Sequence, residues 1–168
     1  MTLEVPLPDL SASADAVDVA KKFYLQPGRL FVSAEPAAVT TILGSCVAVC
    51  LWDESRGIGG MNHYLLPDGG GVRAAAERFA PAALRRLLEQ LLELRADKEN
   101  LKAKVFGGAC VLEAFREDRN DLGAKNVEAA RHFLEVETIP IIAEDVGGRA
   151  GRKLVFHTED GSARVRKL

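Results

Sequence analysis

From residue 29 onward, short runs with strand character alternate with longer runs of helical period. Residues 29–33 and 38–43 are apolar and rich in β-branched side chains, and each is bounded by turn formers. Residues 46–52 form the clearest strand. Val47, Val49 and Leu51 point one way; Cys46, Ala48, Cys50 and Trp52 point the other. Both faces are apolar, so this strand is expected to be central and covered on both sides. Residues 53–57, Asp-Glu-Ser-Arg-Gly, read as a turn, and residues 58–66 return as a second strand. Gly59 and Gly60 within it suggest a bulge or a close backbone approach.

Helical period begins after Pro81, where Leu84, Leu87, Leu88, Leu91 and Leu92 share a face and Arg85, Arg86, Glu89 and Glu93 take the wet side. Residues 72–79 are read as a possible start of that helix. A strand follows at 102–106. A second helix comes next, with Asn126 as candidate cap and Val127, Ala130, Phe133 and Leu134 as its buried stripe. A further strand lies in the Thr-Ile-Pro-Ile-Ile run, and a last hairpin turns around Glu159, Asp160 and Gly161. The pattern predicts a single α/β (α+β) domain, one mixed β-sheet with helices packed on it. Residues 1–21 read as a variable or flexible extension and residues 22–168 as the folded domain.

Composition narrows the function. The 168 residues are 48% hydrophobic, enough for a core, and the formal charge is −2. No long basic block invites nucleic acid, and no apolar run suits membrane insertion. The N-terminus is acidic before it is apolar, unlike a secretory signal. Three cysteines, an odd number, without a disulfide-like framework favour a reducing, cytoplasmic setting. Cys46 and Cys50 match no closed zinc pattern, and no metal or cofactor is expected.

The candidate chemistry is a thiol and an imidazole. A hairpin centred on Ser55 sets Cys46 opposite Tyr64; one centred half a residue earlier sets it opposite His63. Either brings a thiol near an imidazole, the pairing used for nucleophilic acyl transfer. Gly44-Ser45 just before Cys46 would free backbone N–H groups for an oxyanion. A buried structural cysteine is the competing reading. The group that would orient His63 is open among Thr40, Thr41, Asn62, Asp53 and Asp68, with Asn62 expected on the opposite face. Cys50 and Cys110 read as core, and His132 and His157 as surface or half-buried. The Phe-Gly-Gly-Ala-Cys and Val-Gly-Gly-Arg runs match no phosphate-binding motif.

The runs TTILGSCVAVCLWD, GIGGMNHYLLP, KVFGGAC and LGAKNV occur in the order found in CheD proteins, and the late VGGRAGRKLVFHTEDG also resembles that family. The likeness spans about Tyr24 to Val165. It implies a fold similar to deamidating toxins and a papain-like Cys-His-Thr site, with Cys46 as nucleophile, His63 as base and Thr40 as orienting residue. The implied reaction is cysteine-dependent hydrolysis of glutamine side chains to glutamate. Its substrates would be the cytoplasmic helical region of methyl-accepting chemotaxis receptors; a thioester forms and ammonia leaves. A CheC-type phosphatase is an implied partner. The alternative function is a non-catalytic regulator of such a phosphatase. A thiol protease or transferase using the same pair is a further alternative. Phe79-Ala80-Pro81 departs from the Tyr-Gly style start common in the family, and the N-terminal stretch is longer than a minimal member needs.

Overall fold

A computed structural model describes residues 20–69, 76–112 and 121–168. Residues 1–19 of the expected extension, and residues 72–75 of the expected helix start, lie outside the described residues.

The mixed strand pairing and packed helices are as expected, but the strands divide between two sheets. The first has the order β1 (Lys21–Tyr24), β3 (Ala37–Leu43), β8 (Arg152–His157), β9 (Ala163–Lys167). The second has the order β2 (Arg29–Ser33), β5 (Ile58–His63), β4 (Val47–Asp53), β6 (Lys102–Gly107), β7 (Ile141–Val146). Each sheet contains one parallel pair, β1 with β3 and β6 with β7, and is otherwise antiparallel. Alternation within each strand is local information; the choice between one sheet and two is made by long-range pairing, which periodicity does not encode.

Between the sheets lies one apolar cluster. Val39, Leu43, Leu154 and Phe156 from the first sheet meet Ala48, Cys50, Trp52, Met61 and Phe106 from the second. On its other face the second sheet packs against α1 (Ala80–Glu93) and α2 (Leu122–Val136). Val47, Val49 and Leu51 enter this second cluster with Leu84, Leu87, Leu91, Val127 and Leu134. The two-faced burial of β4 therefore has two sources, helices on one side and a sheet on the other. Pro81 sits in the first turn of α1, where its missing N–H costs no intrahelical bond. The cap of α2 is Asp121, which accepts from the N–H groups of Gly123 and Ala124. Asn126 is not a cap; it lies inside the helix, fully buried.

Gly59 makes a close approach and not a bulge, since β4 and β5 pair in unbroken register from Cys50–Met61 to Asp53–Ile58. A Cβ at Gly59 would stand 2.2 Å from the Thr158 carbonyl oxygen, just past the end of β8. The sheets can close here only because that side chain is a hydrogen. Gly59→Ala should therefore lower the urea midpoint, by about 1–3 kcal/mol of stability, because backbone must shift to admit the methyl group. Gly57, whose Cβ would meet nothing within 4 Å, has a positive φ of 64° and tests backbone conformation alone. A Gly59→Ala midpoint equal to wild type would show that the close approach is not a constraint.

Candidate active site

The β4–β5 turn is centred between Ser55 and Arg56, later than either expected centre, so the strand partner of Tyr64 is Val47. Continued by one step, this register sets Leu65, not Tyr64 or His63, across from Cys46. His63 falls opposite Ala48, two residues from Cys46 along β4 and on the same face. The thiol and imidazole are therefore diagonal neighbours, with Cα atoms about 7–8 Å apart by sheet geometry, on the face turned toward the first sheet. Asn62 points the other way, as its position predicts, and its Oδ1 accepts from the Val49 N–H at 2.9 Å.

The first sheet supplies the third group. Along β3, Val39, Thr41 and Leu43 turn inward, and all three are fully buried. The Thr41 Oγ1 lies 2.7 Å from His63 Nδ1, a hydrogen bond that crosses from one sheet to the other. Thr40, the position implied by the family resemblance, lies on the opposite face of the strand and is only partly buried. Its backbone carbonyl accepts from Leu25 N–H, and its hydroxyl does not carry the bond to His63.

The same Thr41 hydroxyl donates to the Leu25 carbonyl at 2.8 Å. A hydroxyl has one proton. Once that proton is given to Leu25, Oγ1 can only accept from the ring, so Nδ1 carries the imidazole hydrogen. Nε2 is then the lone-pair nitrogen, buried and without a hydrogen-bond partner among the described residues. Burial lowers the His63 pKa from 6.5 to about 4, keeping the ring neutral at neutral pH. Burial likewise raises the Cys46 pKa, opposed by a hydrogen bond from its own backbone N–H. The resting pair is thus neutral thiol and neutral imidazole.

Backbone contacts hold the loop carrying Cys46. Gly108 N–H donates to the Cys46 carbonyl at 2.8 Å and Ala109 N–H to the Gly44 carbonyl at 2.9 Å. Gly107 has φ +107°, and a Cβ there would lie 2.2 Å from the Cys46 oxygen. Arg152, fully buried, spans the sheets to reach the Gly107 carbonyl at 2.6 Å and the Gly147 carbonyl at 2.8 Å, with Asp145 at 3.2 Å. Asn126 gives both amide hydrogens to this region, one to the Ser45 carbonyl at 2.9 Å and one to the Leu65 carbonyl at 2.8 Å. It therefore ties the residue before Cys46 to the chain leaving His63.

The sequence reading did not assign Arg152 or Asn126 to the site, although each leaves a signal. Asn126 falls on the stripe of Gly123, Val127, Ala130 and Leu134, and Arg152 falls on the inward alternation of Leu154 and Phe156. Cys50 is fully buried core, and burial pushes its thiol well up, as suits an inert side chain. Cys110 is only half-buried. His132 is exposed, and His157 sits 3.8 Å from Glu159. No group of three or more His, Cys, Asp or Glu able to hold a metal occurs among the described residues. Among those residues, no helix is long and apolar enough to cross a membrane.

A family model described as CheD chemotactic sensory transduction matches residues 65–167. A relative in Anaeromyxobacter dehalogenans (strain 2CP-C), named probable chemoreceptor glutamine deamidase CheD 1, is 50% identical over 86% of this chain and 84% of its own. The chain belongs to the CheD family. A second CheD relative, from Trichlorobacter lovleyi (strain ATCC BAA-1151 / DSM 17278 / SZ), carries the name probable chemoreceptor glutamine deamidase CheD. It is 47% identical over 84% of this chain and 87% of its own. Among solved structures, the Neisseria meningitidis protein NMB0706 superposes with a TM-score of 0.46 at 11% identity, covering 82% of this chain and 66% of that one.

Two measurements check this geometry. The His63 ring should show the Nδ1–H tautomer by nitrogen NMR and titrate near pH 4, not 6.5. Because the folded pKa is the lower one, the unfolded chain binds the extra proton between these values. Stability is then full above pH 6.5 and falls as pH drops toward 4, by up to about 3 kcal/mol from this group. A ring that titrates near 6.5 would contradict the buried, neutral assignment. Asn126→Ala should cost about 1–3 kcal/mol in urea unfolding, since two carbonyls lose their donor; an unchanged midpoint would show that the clamp is not under load.

Proposed function

We propose that this CheD protein hydrolyses glutamine side-chain amides of chemoreceptors to glutamate, with Cys46 as nucleophile, His63 as general base and acid, and Thr41 as the residue that orients His63. The names of its CheD relatives support the reaction class and the substrate. One observation carries the residue roles: the Thr41 hydroxyl is committed to Leu25, so the free lone pair of His63 is on Nε2, on the face shared with Cys46.

The steps follow from a neutral pair. As the Cys46 sulfur attacks the carboxamide carbon, its proton passes to His63 Nε2, and charge develops on the amide oxygen. The Cys46 N–H, on the same residue as the sulfur, would donate to that oxygen. The imidazolium then returns the proton to the departing nitrogen, which leaves as ammonia, and the thioester remains. A water molecule gives a proton to Nε2, attacks the thioester and releases glutamate and the thiol. Nδ1–H stays on Thr41 throughout, so the ring keeps one orientation in both directions of proton transfer. Thr41 carries no charge, so it directs the ring without holding it protonated, and a ring with a low pKa gives its proton to ammonia readily.

The test is peptide mass spectrometry on a chemoreceptor cytoplasmic fragment, where each deamidation adds about 1 Da without chain cleavage. Wild type should produce the shift, and Cys46→Ala and His63→Ala should produce none while remaining folded. Thr41→Val should slow turnover by about 10- to 100-fold, Thr41→Ser should restore it, and Thr40→Ala should change it little. Loss of turnover in Thr40→Ala with a normal rate in Thr41→Val would return the orienting role to position 40. Wild-type rates in the Cys46 and His63 variants would refute the mechanism.

A further inference from the structure

The outer face of the first sheet is built from cations and apolar groups. Pairing places Ile42, Lys153 and Arg166 in one row across β3, β8 and β9, and Thr40, Val155 and Arg164 in the next. Tyr24 of β1 continues the second row beside Thr40. These side chains alternate with the inward Val39, Thr41 and Leu43 and so face away from the core. None of the four strands contains an Asp or Glu, in a chain with 24 acidic residues and a net charge of −2.

Carboxylate pairing of the cations is uneven across the surface. Elsewhere Lys98 meets Glu137 at 2.6 Å, Arg131 meets Glu144 at 2.9 Å, and Lys102 meets Glu54 at 3.7 Å. Among the described residues, no carboxylate pairs with Lys153, Arg164 or Arg166. Exposed apolar groups lie among them, with Ile42 at 48% and Tyr24 at 53% exposure. Like charges left together on one face repel, and an anionic partner relieves them. The row of Ile42, Lys153 and Arg166 is also the one nearest the Gly44–Cys46 loop, since Leu43 ends β3 beside it.

We propose that this face docks an acidic, partly apolar stretch of the protein substrate and so presents a glutamine at Cys46. The proposal rests on the deamidase reading, and the reaction gives it a chemical reason. Each turnover replaces a neutral carboxamide by a carboxylate, so the substrate surface beside the site grows more acidic as modification proceeds. A flat pleated face with apolar groups between cations suits a protein surface, where carboxylates and aliphatic side chains are interleaved.

The experiment compares full-length wild type with Lys153→Glu/Arg166→Glu, and with Arg85→Glu/Arg86→Glu on α1 as a control of equal charge change. The probe is a chemoreceptor cytoplasmic fragment. Binding is measured with each change in a Cys46→Ala background and turnover with Cys46 intact, both across a salt series. The face variant should raise KM and Kd by about tenfold with kcat unchanged, and should flatten the salt dependence seen in wild type. The helix control should match wild type. Equal KM, Kd and salt slope in all three proteins would overturn the proposal. If wild type fails to deamidate, the reaction assignment falls, and the binding arm still decides the face: weaker binding of the face variant upholds it, and equal binding refutes it. The rival occupant is the chain's own N-terminal stretch, which carries Glu4, Asp9, Asp15 and Asp18 and no Lys or Arg before Lys21. Unchanged substrate binding, with a loss of stability in the face variant that disappears when those four acids are changed to amides, would overturn the proposal in favour of that stretch.

Discussion

The site depends on a single proton shared between two sheets. Thr41 belongs to one sheet and His63 to the other, and the 2.7 Å bond between them exists only while the sheets are packed face to face. Leu25, which takes the hydroxyl hydrogen, lies just past β1 and is itself held by the Thr40 carbonyl. If β3 slipped by one residue in its register against β8, Thr40 or Ile42 would turn inward in place of Thr41, and the ring would lose its partner. Packing of the apolar cluster around Phe156, Leu154, Met61 and Trp52 is therefore what sets the tautomer. Stability and chemistry share one set of contacts here.

That arrangement carries a cost. A buried imidazole at pKa about 4 resists protonation, and a neutral threonine does nothing to offset this. An aspartate in its place would raise the ring's pKa and favour a resting thiolate–imidazolium pair. With threonine the pair stays neutral until an electrophile arrives, which protects the thiol from oxidation and alkylation because the thiolate is the reactive form. Cys46 is only partly buried, so this protection comes from its protonation state and not from exclusion of solvent. The clamp formed by Asn126 and the backbone contacts of Gly107 and Gly108 then has to supply the positioning that charge does not.

Much of this was legible in the sequence. The strands and both long helices follow from period-2 and period-3.6 patterns, and one of the two hairpin centres open to the sequence sets Cys46 and His63 on a shared face. The observed register has the parity of the earlier of the two expected centres, which sets Cys46 and His63 on one side; a turn centred on Ser55 would have set them on opposite sides. What local pattern does not carry is which strands neighbour which. The division into two sheets, and with it the partner of His63, is a matter of long-range pairing. Thr40 and Thr41 are chemically identical neighbours, and only the direction of the pleat tells them apart. That direction was itself written in the sequence, since Val39, Thr41 and Leu43 share a face and the alternation could have favoured Thr41. Asn126 and Arg152 were likewise on buried faces by their spacing, but a polar residue on an apolar stripe does not announce what it bonds.

Under the proposed mechanism and docking face, the alternation of β3 would join catalysis to recognition. Thr41 turns inward to fix the imidazole; Thr40 and Ile42, its chain neighbours, turn outward onto the cationic face. Successive residues of one strand are about 3.3 Å apart along the chain, so the proposed docking face and the Thr41–His63 bond are separated by a single peptide unit. A substrate seated on that face would press on the strand that sets the ring without touching the ring itself. The buried Arg152 extends the same logic, because it leaves β8 on the inner side and ends on the Gly107 carbonyl beside the Cys46 loop, while Lys153 leaves the same strand on the outer side. Two strands of the first sheet thus each present one residue to the candidate site and the next to solvent, so the proposed docking face and the candidate site lie back to back across one sheet.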